Sequence, residues 1–320
     1  MINMDDDALF YEALRENSIA KMKQVAKSDL HNHAGRGGNM KYLSAQAGCS
    51  ITPARKPFAS LSEMQEWFEQ NVKVHFPGLD GYLKRVEASF VQAAEDHIQV
   101  LSLSYSMSEA NQMGGIEPFI RVMQELHRKN SPDTDFYPEL VLGQAEDIEL
   151  ELSRLERIFS YQWFQSVDWQ EEVNSESIKA IRPLFRKAKQ HGLKLRAHVG
   201  EFTGAGEVRA CVEELELDEV HHGLAAVTSK ELMRFLADHK IQLNLCPTSN
   251  IMLGRVRSYE THPIRQLYDQ GIKVTINTDD LLIFNATASD EYLHLYQSGL
   301  MSEQELNEIR KTGLQSYQNI

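Results

Sequence analysis

The sequence predicts an α/β fold, a (β/α)₈ TIM barrel with extra helices between the first and second strands forming a lid. Short apolar runs rich in Val, Ile and Leu alternate with longer amphipathic stretches, as when each parallel strand is followed by a covering helix. The 320 residues contain no internal repeat, low-complexity tract or Ser/Gly/Pro linker. A barrel uses this length as one unit, so a single domain over 1–320 is expected.

Eight runs are read as strands: Ser28–His31, Val100–Tyr105, Leu140–Gly143, Phe164–Val167, Leu193–His198, Val220–His222, Ile241–Cys246 and Ile272–Asn277. Helix starts are expected where Ser106 precedes Glu109, Thr228 precedes Glu231 and Ser302 precedes Glu305, since each pair has capping-box spacing. The long stretch from Gly35 to Asp96 lacks a clear strand and carries a further box, Ser62 with Gln65, before Trp67 and Phe68. It leaves the carboxyl end of strand one, so it is expected to fold over the barrel mouth as a lid.

Composition bounds the function. Thirty-three basic against 46 acidic residues give a net charge of -13, which repels a polynucleotide at long range but leaves room for a small anion at a local cationic cluster. Cys49, Cys211 and Cys246 are an odd, widely spaced set that does not read as a disulfide framework. The amino terminus, with Asp5, Asp6 and Asp7, lacks a signal-peptide layout, and no apolar run has membrane-spanning length. A cytoplasmic protein without nucleic-acid or membrane partners is expected, with its oligomeric state open.

Four clusters at predicted strand ends carry chemistry. In Asp29-Leu30-His31-Asn32-His33, residues two apart on a strand point the same way, so both imidazoles can reach one metal ion. Alone, the pair reads equally well as two unrelated histidines. Arg196-Ala197-His198-Val199-Gly200-Glu201 ends a strand in a third imidazole, followed by an acid that by itself reads as a solvated loop residue. Thr278-Asp279-Asp280 puts two consecutive carboxylates at another strand end. One can complete a metal shell while its neighbour accepts a hydrogen bond from a metal-bound water or a substrate nitrogen, or they can be a helix cap and an exposed acid. His221-His222-Gly223 supplies a further imidazole. Barrel active sites are assembled from such ends, which favours the joint reading.

In this order the motifs resemble those of the adenosine deaminase family over nearly the whole chain. His-x-His stands near the amino terminus, His-Val-Gly-Glu is similar to the family's His-Ala-Gly-Glu, and His-His-Gly is similar to Gly-His-Gly. Cys-Pro-Thr-Ser-Asn and Asn-Thr-Asp-Asp follow, and Leu61–Tyr82 resembles the family's lid helices. The resemblance implies that His31, His33, His198 and Asp279 bind one Zn²⁺, a shell that also suits iron, cobalt or manganese. It further implies hydrolytic removal of the 6-amino group from an adenine nucleoside or its 5′-monophosphate (adenosine, deoxyadenosine, AMP or dAMP), with the metal acidifying a water molecule. In that scheme Glu201, kept protonated, donates to purine N1. His222 orients the water, and Asp280 holds it and contacts N7.

Three departures bear on substrate. Where the family has Leu-Asp-Gly, this chain reads Ala34-Gly35-Arg36-Gly37-Gly38, a glycine-rich loop that with Arg36 and Lys41 can receive a phosphate, or in which Arg36 is a packing residue. The following Asn39-Met40-Lys41-Tyr42-Leu43 is similar to AMP deaminases. Gln170, in Val167-Asp168-Trp169-Gln170, stands where the family has a glycine touching purine N3, and Leu281 replaces a common proline. Met64, Trp67 and Phe68 of the lid complete the expected substrate contacts. The alternatives are a related amidohydrolase acting on another or N6-modified aminopurine and a deaminase-like binding protein without turnover. An intact set of ligands and acid disfavours the latter.

Overall fold

In a computed structural model that describes residues 4–317, eight parallel strands follow one another around a barrel in chain order. They are β1 (Lys27–Asp29), β2 (Ile98–Tyr105), β3 (Asp135–Leu142), β4 (Ser166–Trp169), β5 (Lys194–Val199), β6 (Glu219–His222), β7 (Gln242–Leu245) and β8 (Val274–Ile276). All eight predicted runs overlap these strands. The largest difference is β3, which begins at Asp135 because the polar and Pro-containing segment Asp135–Glu139 pairs with β2 without any apolar run to announce it. Residues 1–3 and 318–320 of the expected 1–320 domain lie outside the description. Among the described residues no helix is long and apolar enough to cross a membrane.

The covering helices follow from their apolar spacing. In Ser175–Gln190, Ile178, Ile181, Leu184, Phe185 and Ala188 fall on one face and are buried, while Asn174 caps the first turn by accepting from the N–H groups of Glu176 and Ser177. Each of the four larger side chains contributes about 1.5–3 kcal/mol by leaving water. Ser302 and Glu305 form the expected box, and Ser106 caps Met107–Gln112. The other two boxes start elsewhere. Ser229 rather than Thr228 accepts from Leu232 N–H, because Thr228 donates its hydroxyl to the Ala225 carbonyl. Ser60 rather than Ser62 caps the lid helix, with Glu63 reaching back to Ala59 N–H.

Between β1 and β2 lie the helices Met40–Ala47, Leu61–Phe68 and Gly78–Glu95, as the sequence predicts for a lid. Met40, Leu43, Phe58, Met64, Phe68 and Val72 form a second apolar cluster with Leu282, Ile283 and Phe284, which follow β8. The lid is thereby packed against the far end of the chain.

The barrel axis is ionic below the catalytic end. Arg196 on β5 is fully buried and donates to Glu139 on β3 at 2.8 Å and to Glu219 on β6 at 2.8 Å, while Lys194 reaches Glu219 at 2.6 Å. Burial pushes both carboxyls upward, but the Arg196 guanidinium outweighs it and holds each at about 2 against the ordinary 4.5. Both glutamates therefore bind fewer protons folded than unfolded between pH 4.5 and about 2, and stability is lost as pH falls through that window. Circular dichroism against pH should show acid unfolding there, with a shallower slope in Glu219→Gln. Arg196→Met strands two buried carboxylates and is expected to destabilise the fold by about 3–5 kcal/mol in urea titration; a loss below about 1 kcal/mol would remove the structural role of this layer.

Candidate metal and active site

Every strand end that the motifs mark faces one cavity of about 740 Å³, lined by His33, His198, Glu201, His222, Asp279 and Asp280 among others. Closure of the barrel builds it. Leu30 N–H donates to the Asn277 side chain at 2.7 Å, Thr278 Oγ1 donates to Asp29 at 2.6 Å, and Asp279 N–H donates to the His31 carbonyl at 2.9 Å. Chain segments about 250 residues apart thus become neighbours, and His31 and His33 sit beside Asp279.

The imidazoles converge through Nε2. His31 Nε2 and His198 Nε2 lie 2.9 Å apart, and Asp279 Oδ1 is 3.0 Å from His33 Nε2 and 3.8 Å from His31 Nε2. The outward nitrogens explain what faces inward. His31 Nδ1 meets the Asn244 carbonyl at 3.2 Å and His198 Nδ1 meets the Asp168 carboxylate at 2.9 Å. Both partners only accept, so in the neutral rings each Nδ1 carries the hydrogen and each Nε2 presents a lone pair. His33 Nδ1 faces Ser104 Oγ at 2.8 Å, a hydroxyl able to accept in the same way. Two lone pairs 2.9 Å apart beside a carboxylate repel unless a cation lies between them, so these four side chains fit a divalent metal and its usual outer hydrogen bonds.

His222 has the opposite polarity. Ile264 N–H donates to His262 Nδ1 at 3.1 Å, which leaves the hydrogen on His262 Nε2, 3.3 Å from Asn250 Oδ1. Asn250 Nδ2 then donates to His222 Nδ1 at 3.1 Å and to Glu201 Oε1 at 3.2 Å. His222 Nε2 therefore bears the hydrogen and points into the cavity, 3.5 Å from Glu201 Oε2. It is a donor where the other three are acceptors. His222 and Asp279 both hold left-handed backbone conformations, φ 65° and 60°, which turn their side chains inward from the strand ends at a cost of about 1–3 kcal/mol each. Burial, reinforced by the charge of Asp279, pushes the Glu201 carboxyl well above its ordinary value.

The cavity also gathers Arg36, Met64, Phe68 and Gln170. Gln170 donates to Asp168 Oδ2 at 2.7 Å, so it braces the carboxylate behind His198 as well as lining the wall. Two expected substrate contacts lie elsewhere. Lys41 is exposed on Met40–Ala47, away from the cavity, because Tyr42 and Leu43 turn the packed face inward and Lys41 outward. Trp67 packs against Phe58 with ring centroids 6.2 Å apart and does not line the cavity, since only the Met64 and Phe68 face of the lid helix does. In the glycine-rich loop, two backbone donors are already taken. The N–H groups of Arg36 and Gly37 both donate to the His33 carbonyl at 2.8 Å. A Cβ on Gly37 would lie 1.5 Å from Asn32 Oδ1, so glycine is required there by close packing.

Several site residues escape a reading by motif. Ser249 donates to Asp279 Oδ2 at 2.6 Å, and both it and Asn250 belong to Cys246-Pro247-Thr248-Ser249-Asn250, a recognisable motif to which the sequence attaches no role. Asp168, Ser104 and Asn244 act through ordinary strand positions that carry no signal of their own.

The family model described as adenosine deaminase matches residues 150–318. A putative adenosine/adenine deaminase of Treponema pallidum is 30% identical over 296 residues, covering 89% of this chain and 96% of that protein. The chain belongs to the adenosine deaminase family. Among solved structures, an Arabidopsis protein called ADAL, complexed with IMP, superposes with a TM-score of 0.76 at 16% identity, covering 92% of each chain. A Burkholderia amidohydrolase with bound Zn has a TM-score of 0.72 at 16% identity, covering 98% of this chain and 88% of that one. As a family member the chain is a hydrolytic deaminase.

Asp168→Asn should lower affinity for the metal about 10- to 100-fold, measured by competition with a chelator. Unchanged affinity would show that the outer hydrogen bond to His198 does not set its lone pair.

Proposed function

We propose that this enzyme removes the 6-amino group of an adenine nucleoside or its 5′-monophosphate by hydrolysis, with one zinc ion held by His31, His33, His198 and Asp279. The observation that carries the reading is the placing of Glu201, whose carboxyl is pushed by burial well above its ordinary value, 3.5 Å from a hydrogen donor, His222 Nε2, in the cavity that holds the cation-fitting donors. When bound, the metal supplies a lowered pKa for water near neutral pH.

The protein's own groups do the rest. Glu201 donates its proton to purine N1, which draws electrons from C6 and opens it to attack by water. His222 Nε2–H hydrogen-bonds the attacking oxygen and supports the charge that develops on it. Asp280 Oδ1, buried without a hydrogen-bond partner among the described residues, takes the water's proton and passes it to the departing nitrogen. The C6–O bond forms, the C6–N bond breaks and ammonia leaves, while the proton remaining on O6 returns to Glu201, so that the product keeps N1–H and a C6 carbonyl. Met64 and Phe68 cover the ring. A cavity of about 740 Å³ suits a ligand larger than a bare purine, which supports a nucleoside or nucleotide over the free base.

Zinc-loaded protein should convert at least one of adenosine, deoxyadenosine, AMP, dAMP or their N6-methyl forms to the hypoxanthine product, read by the ultraviolet change, with release of ammonia from the first four and of methylamine from the N6-methyl forms. Chelation should abolish turnover and zinc should restore it. Glu201→Gln should lower kcat by about 10²–10⁴ with the metal retained. Silence of the zinc-loaded wild type across the whole panel would end this reading.

A further inference from the structure

Arg36 stands where the sequence allows a phosphate receptor, yet its guanidinium is engaged on two sides. Nη1 donates to Asp280 Oδ2 at 3.0 Å, Nη2 donates to Gln65 Oε1 on the lid helix, and Cζ lies 5.0 Å from the centre of the Phe68 ring. Its backbone is tied as well, since the Arg36 carbonyl accepts from Leu282 N–H at 2.8 Å, two residues beyond Asp280. Asp280 is 4% exposed, and with Oδ2 held by Arg36 its Oδ1 is left unpartnered.

We propose that Arg36 is a positioning residue for Asp280, one that links docking of the lid helix to alignment of that carboxylate, and that it does not receive a 5′-phosphate. This rests on the role given to Asp280 above. A carboxylate with one oxygen in a charge-assisted hydrogen bond turns only by breaking it, so the second oxygen faces the cavity in one orientation. Gln65 and Phe68 place the guanidinium, and both are on the lid, so the orientation of Asp280 depends on the lid being seated. A phosphate drawn to Arg36 would compete with Asp280 for its donors and bring more negative charge to a wall that already holds Asp279 and Asp280, which low-dielectric surroundings make costly.

The test uses zinc-loaded wild type, Arg36→Gln and Arg36→Lys, with kcat and KM for adenosine and AMP and calorimetric Kd for inosine and inosine 5′-monophosphate. Arg36→Gln should lower kcat about 10- to 100-fold by the same factor for whichever of the pair are substrates, with KM within about threefold and with metal content and Tm unchanged. Arg36→Lys, which keeps a charge beside Asp280, should recover part of the loss. The two product affinities should shift together or not at all. A loss confined to the phosphorylated compounds, seen as raised KM for AMP and weakened binding of the monophosphate alone, would overturn the proposal. Unchanged kcat in Arg36→Gln would overturn it equally. If the wild type deaminates nothing, the reading of the reaction fails by itself, and the paired product affinities still decide whether Arg36 holds a phosphate.

Discussion

Everything at the catalytic end depends on the seam where the last strand meets the first. β8 and β1 are short, and side chains complete their pairing: Asp29 receives Thr278, Asn277 receives Leu30, and Asp279 N–H bonds the His31 carbonyl. A buried carboxylate spent on backbone and hydroxyl donors is a costly way to join two strands unless all its lone pairs are used. Here it brings Asp279 Oδ1 to 3.0 Å from His33 Nε2 and 3.8 Å from His31 Nε2. The same seam carries Arg36 and Leu282, so the loop after β1 and the turn after β8 move as one piece.

Inside that frame, hydrogen-bond polarity sorts otherwise similar residues. Five histidines crowd together, with ring centroids of 4.0 Å between His31 and His221, 4.6 Å between His31 and His198 and 4.6 Å between His31 and His222. Acceptors behind His31 and His198 turn their lone pairs inward, while an amide donor behind His222 turns its N–H inward. The barrel thereby supplies a cation site and a proton donor from one residue type. Below them, the ionic layer around Arg196 fills the axis with charge where aliphatic side chains usually pack, and its charges balance because Arg196 and Lys194 face Glu139 and Glu219.

The lid follows the same logic. Its apolar side is buried against residues after β8, and a polar link to the catalytic centre runs from Gln65 through Arg36 to Asp280. The glycines before it serve packing: Gly37 lies against Asn32 and Gly38 against Ala88, which brings the loop and the helix Gly78–Glu95 into close contact.

The alternation of apolar runs and amphipathic stretches specifies eight strands in order, because the face of each strand packed under the helices must be apolar and those helices must be one-sided. The motifs at strand ends likewise named His31, His33, His198, Glu201, His222, Asp279 and Asp280, since chemistry of this kind needs those residue types at the ends of strands. Helix starts slipped by a residue or two at Thr228 and Ser62, where neighbouring serines compete for the same cap and sequence spacing does not choose between them. What tertiary structure alone decided is direction and partnership: which nitrogen of each imidazole carries a hydrogen, that Lys41 and Trp67 turn away from the cavity, and that Arg36 meets Asp280. Those depend on contacts between segments as far as 244 residues apart, and a hydrogen bond's sense is a property of both partners, which no local pattern contains.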